Sequence, residues 1–546
     1  MNLTRRRFLY YTGPLSLAPL LPRRCEGDGE GYENGRTPFV HGVASGDPLQ
    51  TSVVIWTRVT GDSGAPEAFD VSWVVARDPE LLDVVAEGTS ATDASIDFTV
   101  KFDVQGLAPG QAYYYRFRAL GHDSEVGRTR TLPAGTVSRL RFAVASCANY
   151  PHGFFNAYRA IAERADLDAV LHLGDYLYEY ENGRYGDGAP LGRVPDPDKE
   201  TVTLEDYRRR HAQYKTDPDL KEAHRQHPFI AVWDDHESAD DAFRDGAGNH
   251  QPLTEGEWTV RKQAAIQAYF EWMPIRLQPD LEGRIYRSFR FGDLVDLIML
   301  DTRLEGRDPQ VEDACDTAAL ADPDRRLLSG DQESWLFAEL RASQRDQTRW
   351  RLIGQQVMLG QLFDVLSTQS CALNPDQWDG YPASRSRLLS AISEYGVDNV
   401  VFLTGDIHSS WGNDITETPF DPTTYEPVTG RGSLAVELVT PAVTAPGIED
   451  PAQAVLLGTA IRGSHPHVQY VELNRRGYLL VDVTPERVQA EWYHLPTITT
   501  RSNETVLAAV LSTASGQSHL VPGGAASLPR RDAPALAPAT SAAPFA

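Results

Sequence analysis

Short apolar runs that end in polar or ionisable residues recur along the middle of this chain. Leu140-Arg141-Phe142-Ala143-Val144-Ala145 leads into Ser146-Cys147, and Ala169-Val170-Leu171 leads into His172-Leu173-Gly174-Asp175-Tyr176-Leu177-Tyr178. Further strand-like runs stand at 229–233, 288–291, 294–300, 350–354 and 400–404, with amphipathic, helix-like segments at 259–273 and 332–340. Strands alternating with helices predict an α/β layered sandwich over 138–497, with a ligand site beyond the carboxyl ends of its strands. Residues 37–133 read differently. Their β-branched and aromatic runs at 52–59, 70–75 and 112–118, parted by turns such as Pro109-Gly110, predict an all-β sandwich of about seven strands. Leu132-Pro133-Ala134-Gly135 reads as a linker between the two regions. The Ala-, Pro- and Ser-rich stretch 520–546 is expected to be disordered.

The chain has 546 residues, enough for two or three domains. Its net charge of −25 argues against nucleic acid or anionic membrane surfaces as partners. The same charge serves solubility at a solvated surface or, more sharply, the binding of hard cations. Four cysteines are too few for a disulfide scaffold.

At the amino terminus, Thr4-Arg5-Arg6-Arg7-Phe8-Leu9 precedes the mildly apolar residues 10–21, too short a run to span a bilayer. This pattern resembles a twin-arginine export signal over 1–30. The resemblance implies the twin-arginine machinery as a partner and a periplasmic, cell-wall-associated or extracellular location. Cys25 falls near or within that signal. In an exported protein, Cys315 and Cys371 in their polar, loop-like segments are free to pair. No other stretch reaches the roughly 20 apolar residues of a membrane span, so no transmembrane segment is expected.

Asp175 and Tyr178 stand three apart, close enough for a tight loop to aim both at one ion. The plainer reading of this stretch is a capping Asp beside a core aromatic. Four further clusters weigh against it, each following an apolar run: Trp233-Asp234-Asp235-His236-Glu237, Leu300-Asp301-Thr302-Arg303, Gly354-Gln355-Gln356, and Thr404-Gly405-Asp406-Ile407-His408-Ser409-Ser410-Trp411. Taken singly, His236 reads as a core histidine and Asp406 as a helix cap. Five such clusters on the strand ends of one domain are hard to assign to caps.

The order Ser-Cys-x-Asn, Gly-Asp-x-x-Tyr, Asp-Asp-His-Glu and Gly-Asp-x-His resembles the alkaline phosphatase D family, a branch of the purple-acid-phosphatase-like metallophosphoesterases. The similarity runs from the β-rich amino-terminal region to His465-Pro466-His467 and Arg476-Gly477-Tyr478. Relative to the wider superfamily, Cys147 replaces an Asp, Asp235 an Asn, Gln355 or Gln356 stands near a lost His, and Asp406 replaces another His. Thiolate and phenolate suit a ferric ion, and added carboxylates favour calcium over zinc or manganese.

The resemblance implies a secreted phosphoesterase acting on phosphate mono- or diesters through an iron-bound hydroxide at a binuclear Fe3+/Ca2+ centre. Iron is expected on Cys147, Asp175, Tyr178 and His408. Calcium is expected on the bridging Asp175 with Asp235 and Asp406. Asp240 and Asp241 are either ligands of a second calcium or an acidic loop. His236 is expected to protonate the leaving oxygen or hold a phosphate oxygen. Arg303 and Asn149 are expected to neutralise the equatorial oxygens, the alternative for Arg303 being an ion pair with Asp301 or Glu237. Trp411 and Tyr180 are candidates for the walls of the site, or else core aromatics. A phospholipase D-type or other phosphodiesterase on the same centre, and a non-catalytic surface binding protein, are the rival readings.

Overall fold

The structure is a computed structural model that describes residues 37–61, 66–277, 283–363 and 371–539. The expected export signal, with Cys25, lies outside these residues.

Two sheets form the middle of the molecule, one of ten strands and one of seven. At the centre of the first, Leu140–Ala145, Ala169–His172 and Pro228–Ala231 run parallel, with Ala145 and Ala231 both level with His172. In the second, Val295–Met299, Trp350–Gly354, Val400–Thr404 and Ala435–Val439 are parallel. Every residue of these strands is buried. Burial on both faces is why they read as continuous apolar runs rather than as alternating ones.

The inner faces share one core, in which Phe142, Val144 and Leu171 meet Leu297, Leu352 and Leu403. Phe142 and Phe291 touch edge to face across it, with ring centroids 5.1 Å apart. On the far side of the seven-stranded sheet, Ile298, Ile353 and Phe402 pack beneath helices Gly330–Arg345 and Pro382–Glu394. Helices Asn156–Ala162 and Pro218–Gln226 add Ile161, Leu220 and Ala223 to the first sheet's core. The layers therefore run helix, sheet, sheet, helix, as the alternating pattern predicts. Helix Gly330–Arg345 starts where Ser329 accepts from the backbone N–H of Gln332, and carries Asp331 and Glu333 in its first turn.

The amino-terminal region is the expected β sandwich, in which Val43, Val53, Ile55, Val100 and Val104 of one sheet pack on Val71, Trp73, Tyr115 and Phe117 of the other, but one of its sheets is shared with the rest of the molecule. Ala68–Ala76, Val84–Asp93, Ala112–Ala119, His122–Asp123 and Gly127–Arg130 form a separate five-stranded sheet. Val43–Gly46, Ser52–Arg58 and Thr99–Gln105 instead belong to the ten-stranded sheet, through Val43–Gly46 lying parallel to Pro228–Ala231. A turn-rich linker marks a break in local pattern, whereas strand pairing is non-local and crosses it.

The expected disorder of 520–546 does not hold through Ala539. Val521–Pro522 pairs with Val506–Ala514, which extends the ten-stranded sheet past residue 497. Beyond it, Arg139 binds the carbonyl of Leu528, Tyr114 Oη donates to the carbonyl of Ala535, and Arg225 binds that of Pro538. A Pro-rich segment has no core of its own, but its carbonyls are good acceptors for side chains of the folded body. Among the described residues, no helix is long and apolar enough to cross a membrane.

Candidate metal centre

Five of the parallel strands hand their next few residues to one rim. Ala145 is followed by Cys147, His172 by Asp175, Ala231 by Asp234 to His236, Met299 by Arg303, and Thr404 by Asp406 and His408. Cys147, Asp175, Asp406 and His408 all have left-handed backbone, with φ of 59°, 53°, 61° and 56°. That conformation is costly for residues other than glycine, and its recurrence at one rim is characteristic of a functional site.

The first flank gathers Cys147, Asp175 and His408, whose donor atoms lie within 4.8 Å of one another. Tyr178 Oη joins them, 3.0 Å from Asp175 Oδ2 and 3.1 Å from His408 Nε2. His408 Nδ1 lies 2.6 Å from the carbonyl of Pro446. Since a carbonyl only accepts, that contact puts the proton on Nδ1 and leaves Nε2 with a lone pair facing the cluster. Burial, with the Asp175 charge beside them, pushes the Cys147 thiol and the Tyr178 phenol well above their usual ranges. A cation held by these residues would reverse that balance by favouring the ionised forms of both.

The second flank gathers Asp234, Asp235 and Asp406, again within 4.8 Å. Asp240 and Asp241 form a further group with Asp235, and Asp241 N donates to Asp235 Oδ2 at 2.7 Å. Burial, opposed by Arg303 and His236, holds the Asp235 carboxyl up at about 7. For Asp175, burial is outweighed by His236, His408 and Arg303, which bring it down to about 2. Asp175 Oδ1 and Asp234 Oδ2 are buried with no hydrogen-bond partner. Orphaned carboxylate oxygens among further acids, beside a thiol, a phenol and an imidazole, are what cations of two kinds require. The residues present fit a ferric ion on the first flank and a hard divalent ion on the second.

Arg303 is not presented to an open mouth. It is fully buried, with Nε 2.5 Å from Asp234 Oδ1, Nη1 2.7 Å from Asp376 Oδ1 and Nη2 2.8 Å from Asp406 Oδ1. The suggested partners Asp301 and Glu237 have other tasks. Asp301 Oδ1 accepts from the backbone N–H groups of Arg303 and Leu304, and Glu237 accepts from those of Asp175, Tyr176 and Asp234. Glu237 thus ties two strand-end loops together.

His236 is buried, with Nδ1 2.8 Å from Glu179 Oε2. Burial disfavours its charge, but Glu179, Asp235 and Asp175 outweigh this and hold it protonated. Asn149 donates from Nδ2 to the carbonyl of Tyr185 at 2.7 Å, so this N–H is committed to a loop. Tyr180 and Tyr185 flank the His236 ring, with centroids 5.5 and 5.7 Å away. Trp411 is core: it packs with Met358 and Val439, and its indole donates to Ser409 Oγ. Cys315 and Cys371 are bonded to each other, and Cys147 is a free buried thiol.

Sequence reasoning assigned no role to Glu179, Tyr185, Asp376 or Gln377. Glu179 adjoins the Gly-Asp-x-x-Tyr stretch and could have been found there. Asp376 and Gln377 follow no strand, and nothing local marks them.

Residues 142–492 match the family model described as PhoD-like phosphatase, and residues 25–133 match that of the PhoD-like phosphatase N-terminal domain. Alkaline phosphatase D of Bacillus subtilis (strain 168) is 37% identical over 479 residues, covering 85% of this chain and 78% of that protein. A solved structure of PhoD superposes with a TM-score of 0.81 at 34% identity, covering 91% of this chain and 94% of that one. The chain belongs to the PhoD-like phosphatase family and is a phosphoric ester hydrolase.

Proposed function

We propose that the chain hydrolyses phosphate mono- or diesters at a centre of one ferric and one calcium ion. Cys147, Asp175, Tyr178 and His408 would hold the first, and Asp175, Asp235 and Asp406 the second. The observation that carries this reading is the meeting of a thiol, a phenol, an imidazole and several carboxylates at one rim, with buried carboxylate oxygens left over. When bound, the ions supply charge for the phosphoryl group and lower the pKa of a water that attacks phosphorus.

The chain's own groups do the rest. His236, kept protonated against Glu179, would hand a proton to the leaving oxygen. Its proton is replenished while Glu179 stays charged, and Asn249 and the backbone N–H of Asp240 hold that carboxylate in place. Arg303 spaces and partly neutralises Asp234, Asp376 and Asp406 rather than gripping phosphate. Asn149 fixes the carbonyl of Tyr185, whose ring then bounds the site beside Tyr178 at a centroid distance of 5.6 Å. The Cys315–Cys371 bond supports passage into an oxidising compartment, consistent with the twin-arginine pattern at residues 1–30.

The test is turnover of a chromogenic monoester and a chromogenic diester by the purified enzyme, with and without a calcium chelator, alongside iron and calcium content. Metal-dependent hydrolysis of either ester supports the reading. Full turnover in a preparation stripped of both metals overturns it.

A further inference from the structure

Asp376 and Gln377 touch two residues of the centre from a segment that has little structure of its own. Asp376 Oδ1 accepts from Arg303 Nη1 at 2.7 Å and from Gln310 Nε2 at 2.6 Å, and it also pairs with Arg307. Gln377 donates to Asp406 Oδ2 at 2.6 Å and accepts from the backbone N–H of Met358. Between Cys371 and Gln377 there is no helix, and the sole strand pairing is an isolated bridge from Phe363 to Ala372.

The opposing segment is no more regular. Residues 305–316 contain neither helix nor strand, yet they supply Arg307 and Gln310 to Asp376 and end at Cys315. Beyond the Cys315–Cys371 bond itself, the backbone N–H of Ala372 donates to the carbonyl of Ala314 at 3.3 Å. Irregular segments with few backbone hydrogen bonds open easily, and a cross-link there restricts the open ensemble. The link therefore sits where each segment grips the other, one step removed from Arg303 and Asp406. Cys315 is exposed and Cys371 is buried, so the bond can be reached from solvent on one side.

We propose that the Cys315–Cys371 bond is a redox-sensitive fastening for the catalytic centre, holding Asp376 and Gln377 as positioning residues for Arg303 and Asp406. Thiol–disulfide exchange with a dithiol breaks the S–S bond. Each cysteine sulfur takes up one electron and one proton, and the dithiol leaves as its cyclic disulfide. The freed segments then slacken. Arg303 loses the carboxylate that holds Nη1, and Asp406 loses its amide donor, so the carboxylate flank binds its cation less well. The proposal rests on the reading that Arg303 and Asp406 serve this centre.

The experiment uses the full-length, metal-loaded enzyme and a chromogenic phosphate monoester, with calcium titrated. Reduction is expected to lower kcat about tenfold, the low end of the loss seen when groups that orient metal ligands are removed. The calcium concentration for half-maximal rate should rise with it, while the circular dichroism spectrum is kept. A Cys315→Ser/Cys371→Ser variant should show the same low rate and weak calcium response with or without reductant. Asp376→Asn should reproduce the calcium shift in the oxidised enzyme, and Asp376→Glu should recover part of it.

Native rate and native calcium response in both the reduced wild type and the double variant would overturn the proposal. So would an equal loss on reduction in the double variant, since the reductant would then be acting on iron. Should the double variant fail to fold, the reduced wild type with its retained spectrum decides the question. Full activity in Asp406→Asn would instead remove the reading of the centre on which the proposal stands.

Discussion

The two flanks of the centre stand on the same rim and are finished in different ways. On one, Cys147, Tyr178 and His408 surround Asp175, and among the described residues no lysine or arginine hydrogen-bonds to their side chains, Arg210 reaching only the backbone carbonyl of Tyr178. On the other, Asp234, Asp376 and Asp406 surround Arg303, so the protein brings its own cation to the carboxylates. Taking charges out of water costs several kcal/mol each unless they are paired. The first flank meets that cost by keeping thiol and phenol protonated. The second meets it by internal ion pairing. On the proposed reading, one flank would receive a strongly bound ion, and the other, already charge-balanced, would take an exchangeable one.

Asp175 belongs to the first flank and faces the second, so removing its charge strikes both. Asp175→Asn is expected to lower kcat by about a thousandfold or more and to reduce bound iron, read from steady-state rates and metal analysis. A variant that turns over at the wild-type rate would end the comparison at once. Next in size is chelation. A calcium-selective chelator should remove most activity, calcium should restore it, and iron content should stay unchanged throughout. Loss of both metals together would mean that the flanks do not differ in exchangeability.

Tyr178→Phe then probes the first flank alone. It should abolish a visible phenolate-to-iron absorption band while calcium dependence persists, measured by absorption spectroscopy beside the calcium titration. Tyr185→Ala is expected to have a smaller effect, of roughly two- to tenfold, on the ratio of diester to monoester kcat/KM, because it removes a wall rather than a ligand.

A carboxylate outside both flanks sharpens the contrast further. Asp379 is half-buried and accepts from the backbone N–H of Leu362, and desolvation pushes it up to about 7. Its folded pKa lies above its unfolded one, so its contribution to stability is complete below about 4 and is lost as the pH rises through 7. Wild type should gain stability over Asp379→Asn as the pH falls from 7 to 4, read as a difference in melting temperature. A constant difference would show that burial alone does not govern such groups here.

Strand-borne chemistry was legible in the sequence because a buried parallel strand writes itself as an apolar run and its loop follows directly. Cys147, Asp175, Asp235, Asp406 and His408 could all be placed in this way. Asp376 could not, since it follows no strand and its direct bond to Arg303, like those to Arg307 and Gln310, joins distant parts of the chain. Val43–Gly46 escaped for the same reason: a four-residue strand before a turn-rich region gives no hint that its neighbour is Pro228–Ala231. The tail was misjudged because composition reports whether a segment can build its own core. It does not report whether arginines elsewhere will bind its carbonyls.

The pairing of Val43–Gly46 with Pro228–Ala231 bears on any attempt to trim this protein. A fragment that starts after residue 137 would expose the open edge of Pro228–Ala231, the strand that leads straight to Asp234, Asp235 and His236. Bare edges of that kind recruit other chains and aggregate. The amino-terminal region is thus part of the seam on which the catalytic loops are sewn, and the enzyme is not divisible where its sequence changes character.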